Sequence, residues 1–63
     1  LEFVFYTWKA GDRYFKLAQR YYNDHRYWYI IALFNKKPTE AQLNEGDEIK
    51  IPTDLALAIE VLD

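Results

Sequence analysis

Sixty-three residues suffice for one domain, and a chain this short buries only about 60% of the surface it exposes when unfolded, so each large apolar side chain weighs on stability. The chain has no cysteine, which excludes a disulfide framework and a thiolate metal site, and its twelve Phe, Trp and Tyr residues supply the apolar mass instead. Eight basic and ten acidic side chains, without a run of one sign, sum to −2 and argue against nucleic acid as a partner; no apolar stretch nears the roughly 18–20 residues of a membrane span and no signal-peptide pattern is present, so the chain reads as soluble, with no membrane partner.

The run from Leu1 to Trp8 is β-branched and aromatic and stops at Lys9-Ala10-Gly11-Asp12, which predicts a first strand and a turn. Asp12 then stands where a helix would start, with a carboxylate able to cap the first turn. Tyr14, Leu17, Ala18 and Tyr21 recur at helical spacing, with Lys16, Gln19 and Arg20 on the wet side. Asn23-Asp24-His25 predicts a reversal. A second helix from about Arg26 contains eight consecutive apolar or aromatic residues, Tyr27 to Phe34. Hydrophobicity alone fits a buried strand equally well; Asp24 as its cap and Asn35 as its end point to a helix.

Lys36 to Gly46 is polar and holds Pro38, so it reads as a loop with one helical turn around Thr39 to Leu43. Gly46-Asp47 makes a second turn, and the alternation of Glu48-Ile49-Lys50-Ile51 predicts a second strand closed by Pro52. After it, Thr53 or Asp54 caps a last helix with Leu55, Ala58, Ile59 and Leu62 on one side. Strand alternation of Leu55, Leu57, Ile59 and Val61 is the competing fit. The fold class expected is α+β, a βααβ arrangement with a two-stranded antiparallel sheet on two helices and a C-terminal extension; residues 1–63 read as one domain, with a core over 3–52 and the extension over 53–63.

Catalytic chemistry finds no support. There is no serine or cysteine to act as nucleophile, and threonine occurs only at Thr7, Thr39 and Thr53. His25 is the single histidine and sits in a turn, without a carboxylate cluster at metal-ligand spacing. Glu45 and Asp47 flank the glycine of a turn and read as solvating residues rather than as a glycosidase pair. No catalytic residue, cofactor or metal is therefore expected.

The ordered set of a strand, Gly11-Asp12, Leu17-Ala18 in a first helix, Asn35 after a second, and Gly46, Ile49, Ile51 and Pro52 at the close resembles the LysM domain family over about residues 3–52. Arg13 stands where the peptidoglycan-binding form has a threonine. The aromatic stretch from Ala18 to Ala32 is similar to the variant in tail and baseplate proteins of contractile phages and related injection machines. The resemblance implies a virion assembly module that docks to other tail, baseplate or injection-machine proteins. Its alternative implication is a binding module for N-acetylglucosamine polymers, peptidoglycan or chitin.

For the glycan function, the resemblance places a shallow groove between Lys9–Tyr14 and Asn35–Thr39, with Gly11, Asp12, Arg13, Tyr14, Asn35, Lys36, Lys37 and Pro38 as its residues. Tyr14 and Pro38 would give apolar ring contact, while Arg13, Lys36 and Lys37 make the groove basic. For the assembly function, the family register turns Trp28, Ile31, Ala32 and Asn35 inward and leaves Tyr29, Ile30 and Leu33 outward. Tyr29, Ile30, Leu33, Leu57 and Val61 are then the expected protein interface, unless the loop and the segment Leu55–Leu62 fold over that outer side.

Overall fold

The computed structural model describes residues 1–62; Asp63, the last residue of the expected C-terminal extension, lies outside them. Strand β1 (Phe3–Thr7) pairs antiparallel with β2 (Glu48–Pro52), Tyr6 opposite Ile49 and Val4 opposite Ile51. Successive side chains of a strand alternate between faces, so Tyr6, Ile49 and Ile51 enter the core. Phe5 and Lys50 form an opposite pair on the outer face, where Lys50 Nζ lies 5.1 Å from the centre of the Phe3 ring. Beyond the paired residues, Trp8 continues the contact: its amide donates to the Asp47 carbonyl at 2.7 Å, and its carbonyl accepts from the Gly46 amide at 2.8 Å.

Helix α1 (Tyr14–Tyr22) buries Tyr14, Leu17 and Ala18, positions whose spacing of three and one puts them on one side. It ends at Asn23 in the left-handed conformation, φ 58°, one of the few side chains that tolerate it. The Asp24 carboxylate then accepts from the Arg26 amide at 3.0 Å and starts a 3₁₀ turn, His25–Tyr27, which leads directly into α2 (Trp28–Phe34). Asp24 thus caps the entrance to the second helix through this turn. The end of α2 is a Schellman motif: the Lys37 amide donates to the Ala32 carbonyl at 3.0 Å and the Lys36 amide to Leu33 at 3.1 Å, with Lys36 at φ 57°. A second 3₁₀ turn, Glu40–Gln42, occupies the middle of the following loop, where a helical turn was expected.

Helix α3 (Leu55–Leu62) resolves the ambiguity of the last segment in favour of a helix. Asp54 is its cap, its carboxylate accepting from the Leu57 amide at 3.0 Å. The helix packs on α2. The fold is therefore a small α+β arrangement, a two-stranded antiparallel sheet with two helices and a C-terminal helix.

The rings and aliphatic chains of β1, α1, α2 and β2 meet in one cluster that runs from Tyr6 and Trp8 through Tyr14 and Leu17 to Ile31 and Ile51. Ile30 and Ala58 are also fully buried but lie outside that cluster. They belong to the layer between α2 and α3. Ile30 thus lies away from the main cluster, as the register of α2 expected. The outer side it occupies is covered by α3, the alternative expected for Leu55–Leu62, so Ile30 is not part of a protein interface. Trp28, expected to face inward, is 43% exposed. The preceding three residues are wound as 3₁₀ rather than α-helix, so Trp28 opens the helix at its rim instead of continuing an inward stripe.

Candidate functional site

The turn after β1 and the loop after α2 meet at the start of α1. Gly11, at φ 86°, lets the chain fold back so that the Asp12 carboxylate accepts from the Lys9 amide at 2.7 Å and from the Tyr6 hydroxyl at 2.8 Å. Asp12 therefore closes the turn and is not the cap of α1 that its position suggests. The N-cap is Arg13, whose side chain has no acceptor. The Tyr14 amide instead donates to Glu40 Oε1 at 2.7 Å, a cap supplied from the second 3₁₀ turn. The other Glu40 oxygen lies 3.5 Å from Arg13 Nε.

Tyr14 binds the two loops together. Its ring is buried, and its hydroxyl donates to the Lys37 carbonyl at 2.8 Å. Burial, reinforced by the Glu40 carboxylate, pushes its phenol up to about 12. Next to it opens a pocket of about 330 Å³ lined by Tyr14, Phe15, Trp28, Pro38, Thr39 and Glu40. The rings of Tyr14 and Trp28 lie nearly parallel, 21° apart with centroids separated by 6.5 Å. Flat apolar faces with a hydroxyl and a carboxylate at the rim suit a ligand that is itself partly flat and apolar, with polar groups at its edge.

Of the residues expected in the glycan groove, only Tyr14 and Pro38 line this pocket. Gly11 and Asp12 are spent on the turn. Arg13 is half-exposed in its pairing with Glu40. Lys36 is the left-handed residue of the helix end, and Lys37 contributes its backbone carbonyl. Asn35 is a structural staple: its amide donates to the Lys50 carbonyl at 2.7 Å, and its oxygen accepts from the Lys50 amide at 2.8 Å, fixing α2 to β2. It lines a separate polar hollow with Asp47 and Glu48. Phe15, Trp28 and Glu40 escaped sequence reasoning, while Thr39 is the last residue of the second loop expected at the groove. Phe15 follows Tyr14 at a helix start, which was a usable signal; nothing local marks Glu40 as the partner of an amide 26 residues away.

The expected protein interface divides in a different way. Ile30 is buried beneath α3 and offers no surface to a partner. Leu33 on α2 and Leu57 and Val61 on α3 are 47%, 41% and 60% exposed, and Tyr29 is half-buried. So α3 covers one side of α2 while adding an apolar outer side of its own.

His25 is exposed at the turn between α1 and α2, and no group of three or more His, Cys, Asp or Glu among the described residues is arranged to hold a metal ion. No helix among them is long and apolar enough to cross a membrane. Comparison with protein-family models, curated proteins and solved structures finds no significant match to the chain in any of the three.

Proposed function

We propose that this chain is a non-catalytic, LysM-like assembly module of a phage tail, a baseplate or a related contractile injection machine, docking to neighbouring proteins through the outer sides of α2 and α3. The observation that carries the docking reading is the exposure of Leu33, Leu57 and Val61 after Ile30 has already been covered from within the chain. Exposed apolar side chains on two helices that pack on each other suit a contact with another protein. The βααβ order and the aromatic stretch between Ala18 and Ala32 support the virion setting through the family resemblance. A chain with Leu33, Leu57 and Val61 all changed to lysine should keep its far-ultraviolet circular dichroism and fail to incorporate into assembled tails or baseplates. Incorporation at the unmodified level would refute the docking surface.

The second reading is binding of N-acetylglucosamine polymers, and the aromatic pocket beside Tyr14 is the observation that favours it. An exposed Trp28 gives a pyranose ring a face to stack on, and Thr39 and Glu40 give its hydroxyls partners. The discriminating experiment is co-sedimentation of the chain with insoluble peptidoglycan and chitin at low and high salt. Salt-resistant pelleting, competed by soluble oligomer and lost in Trp28→Ala, supports the glycan reading; a chain left in the supernatant removes it.

A further inference from the structure

Although no run of one sign exists, charge is divided between the two parts of the chain. From Lys9 to Lys37 there are seven Lys or Arg against Asp12 and Asp24; from Pro38 onward there are seven Asp or Glu against Lys50 alone. Helix α1 belongs to the first part and contains no acidic residue. Lys16 and Arg20, four positions apart, share one side of it and are exposed, and Arg13, paired with Glu40, precedes them at the N-cap. Beside that basic stripe lies an open groove of about 450 Å³ lined by Phe15, Lys16, Gln19 and His25, with Phe15 48% exposed. No carboxylate lines this groove, and Asp24, which precedes His25 in sequence, is paired with Arg26 at 2.7 Å.

Helix α3 belongs to the acidic part and contains no basic residue. Its outer side carries Leu57, Glu60 and Val61 at spacings of three and one, preceded by Asp54. An apolar ridge with carboxylates at its margin on one element, and an apolar groove with cations at its margin on another, are complementary in both polarity and charge.

We propose that the chain associates with a second copy of itself, the Leu57–Glu60–Val61 side of α3 in one copy seated in the Phe15–Lys16–His25 groove of the other. This rests on the reading of α3 as a docking surface and names its partner. The carboxylates steer the ridge onto the basic stripe, and the apolar side chains lose their water in the contact.

Sedimentation of the full chain over rising concentration tests this. Association is expected to weaken between about 0.1 M and 1 M salt, as the screening length shrinks from about 10 Å to about 3 Å. Lys16→Glu with Arg20→Glu, and separately Glu60→Lys, should each weaken it by about tenfold or more while leaving the circular dichroism unchanged, since all three side chains are exposed. Mixing the two variants should restore association, because each again meets an opposite charge. Wild-type chain that stays monomeric, variants that associate like wild type, or a mixture that stays dissociated would each overturn the proposal. A monomeric wild type together with loss of tail incorporation in the triple lysine variant would overturn self-association and leave docking to other proteins intact.

Discussion

At the end of the molecule where the turn after β1 meets the loop after α2, side-chain hydrogen bonds join segments far apart in sequence: Tyr14 to Lys37 and Glu40, and Asn35 to Lys50. Helix α3, packed on α2, is held differently. Its cap bond to Asp54 is local, and among the described residues its attachment to α2 rests on apolar burial centred on Ile30 and Ala58. The first region adds directional bonds to the buried ring of Tyr14, because the polar backbone of its loops needs partners once it is folded over that ring. The second has apolar side chains in excess of what one interface can cover. A loop built on directional bonds can hold a shaped pocket; a helix attached by burial alone can present a surface.

The largest expected effect tests whether the loop end truly depends on polar bonds. Tyr14→Ala removes a buried ring as well as its hydroxyl and should cost about 3–5 kcal/mol, comparable to the whole stability of a domain this small. Tyr14→Phe keeps the ring and its contacts with Trp8 and Trp28, loses the bond to Lys37, and should cost about 1–2 kcal/mol. Urea melts of both give the split. Equal losses would mean that the hydroxyl, not the ring, carries the region.

The α3 side is tested by two residues of one helix. Ile30→Ala should cost about 2–5 kcal/mol and Leu33→Ala well under 1 kcal/mol, the difference reflecting full burial against 47% exposure. Comparable costs for the two would show that α3 leaves α2 uncovered in solution.

That pair also marks the limit of what the chain discloses before it folds. Helix α1 and β2 were legible because their apolar residues repeat at a single period, 3.6 or 2, and β1 because its β-branched and aromatic run stops at a glycine turn. In α2, eight apolar residues in succession give no contrast between sides, so the register rested on resemblance, placed Trp28 inward although it is 43% exposed, and left open whether the side of Ile30 is covered. Only the packing of α3 decides that, and it is a tertiary fact. Of the residues named for the groove, Tyr14 and Pro38 line the pocket, whereas Asn35 is a staple between α2 and β2. Glu40 was hidden because the amide it caps lies 26 residues away. Asp12 misled because it satisfies every local rule for a cap while its carboxylate is used by Lys9 and Tyr6.

Glu40 sharpens the comparison on a smaller scale, since it makes two contacts of different worth. Glu40→Ala removes the cap of α1 and should cost about 0.5–2 kcal/mol. Arg13→Ala removes only the partly exposed pairing at 3.5 Å and should stay within about 0.5 kcal/mol. Thermal melts of the two variants suffice, and a larger loss for Arg13 would make the ion pair rather than the cap the useful contact.

The last effect is read in alkali. Burial pushes the phenols of Tyr14 and Tyr22 up to about 12; Tyr14 bonds the Lys37 carbonyl at the loop end, and Tyr22 bonds the Pro52 carbonyl at the end of β2. In the unfolded chain both ionise near 10.0. The folded chain therefore holds these protons more tightly, and the stability they contribute is fully present below pH 10 and lost as pH rises through about 12. Titration of the two rings by nuclear magnetic resonance separates the regions. Glu40→Gln removes a neighbouring charge from Tyr14 only, so the Tyr14 midpoint should fall while that of Tyr22 stays where burial alone puts it. A Tyr14 midpoint already near the ordinary phenol value in the unmodified chain would mean that water reaches the hydroxyl, and that the loop end opens on a timescale that a bonded pocket does not permit.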